Sequence, residues 1–243
     1  MKIIIVRHAE PNYEIDSLTE KGFREAELLA DRMCKLDIKA TYLSPLGRAQ
    51  ATAKPFVERM QLETTTYDWL REFEAPINRP DVKDKKKVTW DWLPEDWTTY
   101  HDFYDYDKWY THPLMLEGHV YEEYKRVCDG LDEVLKKHGY VRNGRYYDVV
   151  DGNNDTIVFV CHFGAECVLL SHLLTISPMQ LWHGFCALPS SVTTVATEER
   201  RQGKASFRTL SFGDISHLYV ANEEPSFSAR FVEKYGNEGE RVD

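Results

Sequence analysis

The chain has 243 residues, 42% of them apolar, and a formal net charge of −10. That length fits one large domain, and the apolar fraction suffices for a buried core, which excludes a chain disordered throughout. The acidic balance excludes a general nucleic-acid binder and a protein held on an anionic membrane surface, because both rely on basic patches.

A small anionic ligand stays compatible with that charge, since a few local arginines can hold one phosphate. The five cysteines (Cys34, Cys128, Cys161, Cys167 and Cys186) form no C-x-x-C pair. Neither a disulfide framework nor a zinc ribbon is expected from them, and reduced thiols in a cytoplasmic protein are the simple reading.

Lys2-Ile3-Ile4-Ile5-Val6 is a β-branched run, suited to a central strand covered on both faces. It is too short for a signal-peptide core or a membrane span, and no later segment is a transmembrane candidate. A helix is expected after Thr19, its N-cap, with Phe23, Ala26, Leu29, Ala30 and Met33 at helical spacing. Residues 40–43 form a second strand. Ser44 and Pro45 then open another helix as N-cap and first helical residue. Residues 64–69 are extended.

Residues 75–117 break this alternation. They hold Lys83, Lys85, Lys86 and Lys87, then Trp90, Trp92, Trp97 and several tyrosines, and are expected to be an insertion over one edge of the core. Its aromatics suit either a satellite core or stacking on a ring-bearing ligand. The lysine run suits a solvated face or a second anionic group.

A helix over 119–138, a polar connection over 139–155 and a strongly apolar strand over 156–161 follow. Residues 164–174 and 178–184 have helical patterns. Residues 192–196 and 206–210 are later strands, placed at a sheet edge. The tail after Gly236 is polar. Alternating strands and helices predict an α/β three-layer sandwich: one domain, 1–243, with a mostly parallel sheet and helices on both faces.

His8 follows the first strand directly, and His162 follows strand 156–161. Ligands of open parallel sheets bind at the carboxyl ends of the strands, so neighbouring strands would bring both histidines into one crevice. Arg7 lies beside His8, and Arg48 lies in the first turn of the helix after strand 40–43. Two arginines, two histidines and a helix N-terminus suit a phosphate group. No Cys-x5-Arg signature and no Walker A loop is present.

These residues resemble the histidine phosphatase superfamily, also called phosphoglycerate mutase-like. Arg7-His8-Ala9-Glu10 is similar to its Arg-His-Gly signature, and Leu18-Thr19-Glu20-Lys21-Gly22 with Glu25-Ala26 to its Leu-Thr-x-x-Gly-x-x-Gln-Ala helix. Ser44-Pro45-Leu46-Gly47-Arg48-Ala49 is similar to its Ser-Pro-Leu-x-Arg-Ala element. Leu70-Arg71-Glu72 resembles the Leu-x-Glu that carries the acid, Cys161-His162-Phe163-Gly164 the second-histidine motif, and Phe212-Gly213-Asp214 with His217-Leu218 a late element.

The resemblance covers nearly the whole chain outside the insertion. It implies a phosphatase acting on a small phosphorylated substrate, with no cofactor and no metal; separately, a monomer or homodimer is expected. His8 would be the nucleophile. Arg7, Arg48 and His162 would bind the phosphoryl oxygens, and Glu72 would be the general acid, with Glu74 as the alternative. A mutase with the same phosphohistidine, or a non-catalytic phosphate-binding protein, are the competing roles. Ala9 and Phe163 depart from the pattern and are expected to narrow the pocket. Glu25 stands where Gln is common, and Ala51 where the helix often has Gln. His101, His112, His119 and His183 are expected to serve the surface or packing.

Overall fold

The computed structural model describes residues 1–83, 85–228 and 230–237. Apart from Asn237, the polar tail expected after Gly236 lies outside the described residues. The first strand, β1 (Lys2–Arg7), is buried from Ile3 onward. Helix α1 (Glu20–Met33), strand β2 (Ala40–Leu43), helix α2 (Gly47–Met60) and strand β3 (Thr64–Thr66) follow it. Then, after the insertion, come helix α3 (Val120–Lys137) and the strands β4 (Tyr140–Asn143), β5 (Tyr146–Val149) and β6 (Thr156–Cys161). Helices α4 (Phe163–Leu174) and α5 (Pro178–Gly184) lead to strands β7 (Val192–Arg201) and β8 (Lys204–Asp214).

The strands form one sheet in the order β3-β2-β6-β1-β7-β8-β5-β4. Ile3 and Ile5 face one layer and Ile4 and Val6 the other, which is why the first strand carries no polar alternation. Helices α1 and α2 cover the second face through Leu29, Ala30, Met33, Ala53 and Phe56. The first face is covered by α3, α4, α5 and much of the insertion, including the fully buried Phe103 and Trp109.

The three-layer sandwich matches expectation, with a mixed sheet. Pairs β3-β2, β2-β6 and β6-β1 are parallel. From β1 outward, the pairs with β7, β8, β5 and β4 are antiparallel. The strand expected at an edge over 192–196 instead lies beside β1. The chain reaches it at the carboxyl end of β1, where the Arg7 N–H donates to the Ser191 carbonyl at 3.1 Å, so it runs back antiparallel.

The polar connection expected over 139–155 contains the edge hairpin β4-β5. Its two-residue turn begins with Gly144 at φ +60, a conformation open to glycine. A Gly between Tyr- and Val-rich segments was the available signal.

Two local expectations change. Thr19 caps α1 as expected, accepting from the Gly22 N–H at 3.0 Å. Phe23, however, is exposed, and Glu25 takes the buried position on that face. Ser44 does not cap α2, which starts two residues after Pro45. Its hydroxyl faces His162 instead.

Arg79 is engaged inside the insertion. Its side chain is buried, with Nε and Nη2 donating to the Asp81 carboxylate at 2.6 and 2.8 Å and Nη1 to the Asp91 carbonyl at 2.9 Å. Lys83, Lys85 and Lys86 are exposed, which matches a solvated face.

Glu25 is fully buried and accepts from the Glu10 N–H at 2.8 Å. Burial pushes its carboxyl up from 4.5 to about 7. Between those values the folded state holds a proton the unfolded state has released, so stability falls as pH rises through that window. A Glu25→Gln variant can keep the Glu10 contact without the charge. Above pH 7 it should be more stable than wild type by on the order of 2 kcal/mol. Denaturant titration should show that gain disappearing below about pH 4.5.

Candidate active site

Parallel pairing of β1 with β6 sets Arg7 opposite Cys161, so the next residues, His8 and His162, leave the sheet side by side. The His8 N–H donates to the Cys161 carbonyl at 3.0 Å, and the ring centroids stand 5.1 Å apart. Both rings are nearly inaccessible, at 1% and 0% exposure.

His8 Nδ1 lies 2.8 Å from the Ala9 carbonyl oxygen, which can only accept. Nδ1 therefore carries the proton, and Nε2 keeps its lone pair. Burial, then the Arg7 charge, hold the His8 pKa well below 6.5, so the ring is neutral at ordinary pH. His162 Nε2 lies 2.7 Å from the Ser44 hydroxyl, and its Nδ1 has no protein partner. Its pKa is also pushed well below 6.5, first by burial, then by His8, Arg48 and Arg7.

The loop before β7 braces this pair. Ala187 accepts from Arg7 Nη1 through its carbonyl, and the Ser190 N–H donates to the His8 carbonyl at 3.1 Å. Ser190 itself has φ +60, and its hydroxyl lies 3.1 Å from His217 Nε2. Asp214 pairs with Arg32 at 2.8 Å. The late Phe212-Gly213-Asp214 and His217 element thus supports the loop that holds Arg7 and His8.

The N-terminus of α2, expected to receive a ligand anion, already holds one. Asp16 Oδ2 accepts from the Gly47 N–H at 2.6 Å, and Oδ1 accepts from Arg48 Nη1 at 2.6 Å. Asp16 therefore caps the helix and orients Arg48 in one contact. Sequence reading missed this residue because it lies 31 positions away from the helix it caps.

Glu72 Oε1 accepts from the N–H groups of Phe73 at 2.8 Å and Ala165 at 3.2 Å, which ties it to the first turn of α4. Its pKa is raised above the usual 4.5, burial outweighing those bonds and the Arg7 charge. A Cβ on Gly164 would stand 2.8 Å from Glu72 Oε1 and 2.7 Å from Trp90 Nε1, so only glycine allows this approach. Glu74 is exposed, and only Glu72 of the two lines the adjoining cavity.

That cavity, about 440 Å³, is also lined by Arg7, Trp90, Trp97 and Phe163. His8 and His162 are not among its lining residues, although Arg7 and Phe163, their chain neighbours, are. Phe163 enters it as expected. Ala9 does not, because its side chain packs against Leu18 and Ala26.

Glu166 is a further buried carboxylate, pushed up to about 7 mainly by burial, with Arg7 opposing the shift. A lone acid in an apolar helix was its signal. Among the described residues no group of three or more His, Cys, Asp or Glu side chains could hold a metal ion. None of their helices is long and apolar enough to cross a membrane.

The family model described as histidine phosphatase superfamily (branch 1) matches residues 3–209. Phosphoserine phosphatase 1 of Hydrogenobacter thermophilus is 27% identical over 218 residues, covering 83% of this chain and 89% of that protein. A phosphoserine phosphatase of Entamoeba histolytica, in complex with 3-phosphoglyceric acid, superposes with a TM-score of 0.57 at 21% identity. It covers 89% of this chain and 98% of that one. A mycobacterial glucosyl-3-phosphoglycerate phosphatase superposes with a TM-score of 0.57 at 15% identity, over 87% and 98%.

Removal of the Asp16 carboxylate should leave α2 uncapped. Asp16→Ala is expected to cost about 1 kcal/mol at neutral pH, and Asp16→Asn much less. Its lowered pKa means the contribution is present above 3.8 and lost as pH falls through the folded value. Chemical denaturation of both variants across that range checks this.

Proposed function

The chain belongs to the histidine phosphatase superfamily (branch 1), and from that premise we propose that it hydrolyses a small-molecule phosphate monoester through a phosphohistidine on His8. The observation that carries this reading is the paired, buried His8 and His162 beside Arg7, with His8 Nδ1 committed to a carbonyl. His8 Nε2 attacks phosphorus while the ester P–O bond breaks. The departing oxygen takes the Glu72 proton. Water then attacks phosphorus as the P–N bond breaks and gives a proton to Glu72, which releases phosphate and restores neutral His8.

Arg7, Arg48 and His162 stabilise the phosphoryl oxygens during both transfers. The two guanidinium charges supply the positive field, and on that basis the reaction is proposed to need no metal. Glu72 is favoured over Glu74 because it lines the cavity and burial raises its pKa, the direction a general acid needs.

Hydrolysis is favoured over mutase transfer. A mutase must hold a second anionic group, and Arg79 is engaged by Asp81 and Asp91. Insertion residues such as Trp90 and Trp97 form part of the cavity wall, so the 75–117 segment is proposed to act as its lid. A cytoplasmic location, as a monomer or homodimer, fits the free thiols of Cys34, Cys128, Cys161 and Cys167.

Phosphate release from a panel of phosphate esters, with EDTA present, tests the mechanism. Wild type should be active and His8→Ala inactive; equal turnover by the variant would refute the phosphohistidine route. Glu72→Gln should lower kcat for alkyl esters on the order of 10²–10⁴-fold. The first transfer from nitrophenyl phosphate, a better leaving group, should suffer far less and appear as a burst of nitrophenol. In wild type the rate on alkyl esters should fall as pH rises through the raised Glu72 pKa, and this limb should be absent in Glu72→Gln.

A further inference from the structure

The cavity beside Arg7 and Glu72 is walled by aromatic rings. Eight of its described lining residues are Phe, Trp or Tyr. They come from four separate parts of the chain: Tyr13 after the first strand, Trp90, Trp92 and Trp97 from the insertion, Phe163, Trp182 and Phe185 from the region of α4 and α5, and Phe231 after the last strand.

Several of these rings are fixed in place. Trp90 Nε1 donates to the Phe73 carbonyl at 2.9 Å, and Trp182 Nε1 to the Gly164 carbonyl at 3.1 Å. Trp97 stacks on His183 with centroids 5.0 Å apart, and His183 is itself held by the Met179 carbonyl at 2.7 Å. Phe163 meets Trp90 edge-on at 6.1 Å and lies 5.8 Å from the Arg7 guanidinium carbon. Packing alone would bury these rings as it buries Trp109, yet Trp90, Trp97 and Phe163 keep part of their surface open to the cavity.

The charged groups elsewhere on the wall are engaged. The Asp91 carboxylate lies 3.4 Å from buried Arg79 Nη1, and Arg230 pairs with Glu233. A serine-type leaving group would bring a carboxylate against indole faces and would have to break the Arg230 pair to satisfy it. A flat, uncharged ring fits the same wall without unmet polar groups.

We infer that the phosphate ester taken by this site carries an aromatic ring on its alcohol, packed against the wall that Trp90, Trp97 and Phe163 form. This rests on the phosphatase reading above for the chemistry, and on the cavity wall for the ring. It extends that reading from phosphate monoesters in general to ring-bearing ones, in contrast to the phosphoserine named for relatives of this chain.

The test compares phenethyl phosphate with propyl phosphate, whose alcohols have similar acidity, so that leaving-group chemistry cancels. Wild type should prefer the phenethyl ester by about tenfold in kcat/KM. Trp97→Ala should collapse that ratio toward one, and Trp97→Phe should retain most of it. A wild-type ratio at or below one, or a ratio unchanged in Trp97→Ala, overturns the inference.

Binding of phenethylphosphonate against propylphosphonate, followed by tryptophan fluorescence, separates the two levels. Tighter phenethyl binding without turnover of any ester would sink the phosphatase reading and keep the ring site. Turnover of both esters, with neither rate nor binding favouring the ring, would sink the ring site alone.

Discussion

The parallel register of β1 and β6 aligns Arg7 with Cys161 and so delivers His8 and His162 to one point above the sheet. Every other part of the site is arranged around that pair. A slip of one residue would move every side chain of β1 to the opposite face, so the apolar pattern of Ile3 to Val6 also fixes where the histidines emerge. The antiparallel strand β7 closes the other side of β1, and the loop preceding it clasps Arg7 and His8 through backbone groups.

Burial then determines the protonation of these groups. A histidine without water around it favours its neutral form, and two nearby arginines push the same way. A buried carboxylate is driven in the opposite direction, which applies to Glu72, Glu166 and Glu25. The same loss of solvent therefore moves the histidine and carboxyl pKa values in opposite directions, each toward its neutral form. A chain of net charge −10 can still carry a local positive field: Arg7 and Arg48 stand near the buried histidines, while Asp16 both pairs with Arg48 and occupies the N-terminus of α2.

The insertion changes what surrounds this chemistry. Arg79, Asp81 and Asp91 form its internal polar anchor, and Phe103 and Trp109 join the main core beneath it. Its tryptophans divide accordingly, Trp109 inward for packing, Trp90 and Trp97 toward the cavity. Gly164 is the point of closest approach, where α4, Glu72 and Trp90 leave no room for a side chain.

Sequence alone determined the elements whose signals are local. The apolar runs that became β1 and β6, the Thr19 cap, the α3 span and the histidines and arginines at strand ends or first turns could all be placed from spacing and residue type. Tertiary structure decided what depends on partners distant in sequence. Phe23 left the apolar face expected for it and Glu25 is buried there, because a helix face is selected by what packs on it and not by hydropathy alone. Ser44 left its helix to face a histidine 118 residues away, and Asp16 supplied the cap instead. The antiparallel half of the sheet followed from which end of β1 the returning chain reached. That end is set by the path of α4 and α5, which no local pattern encodes.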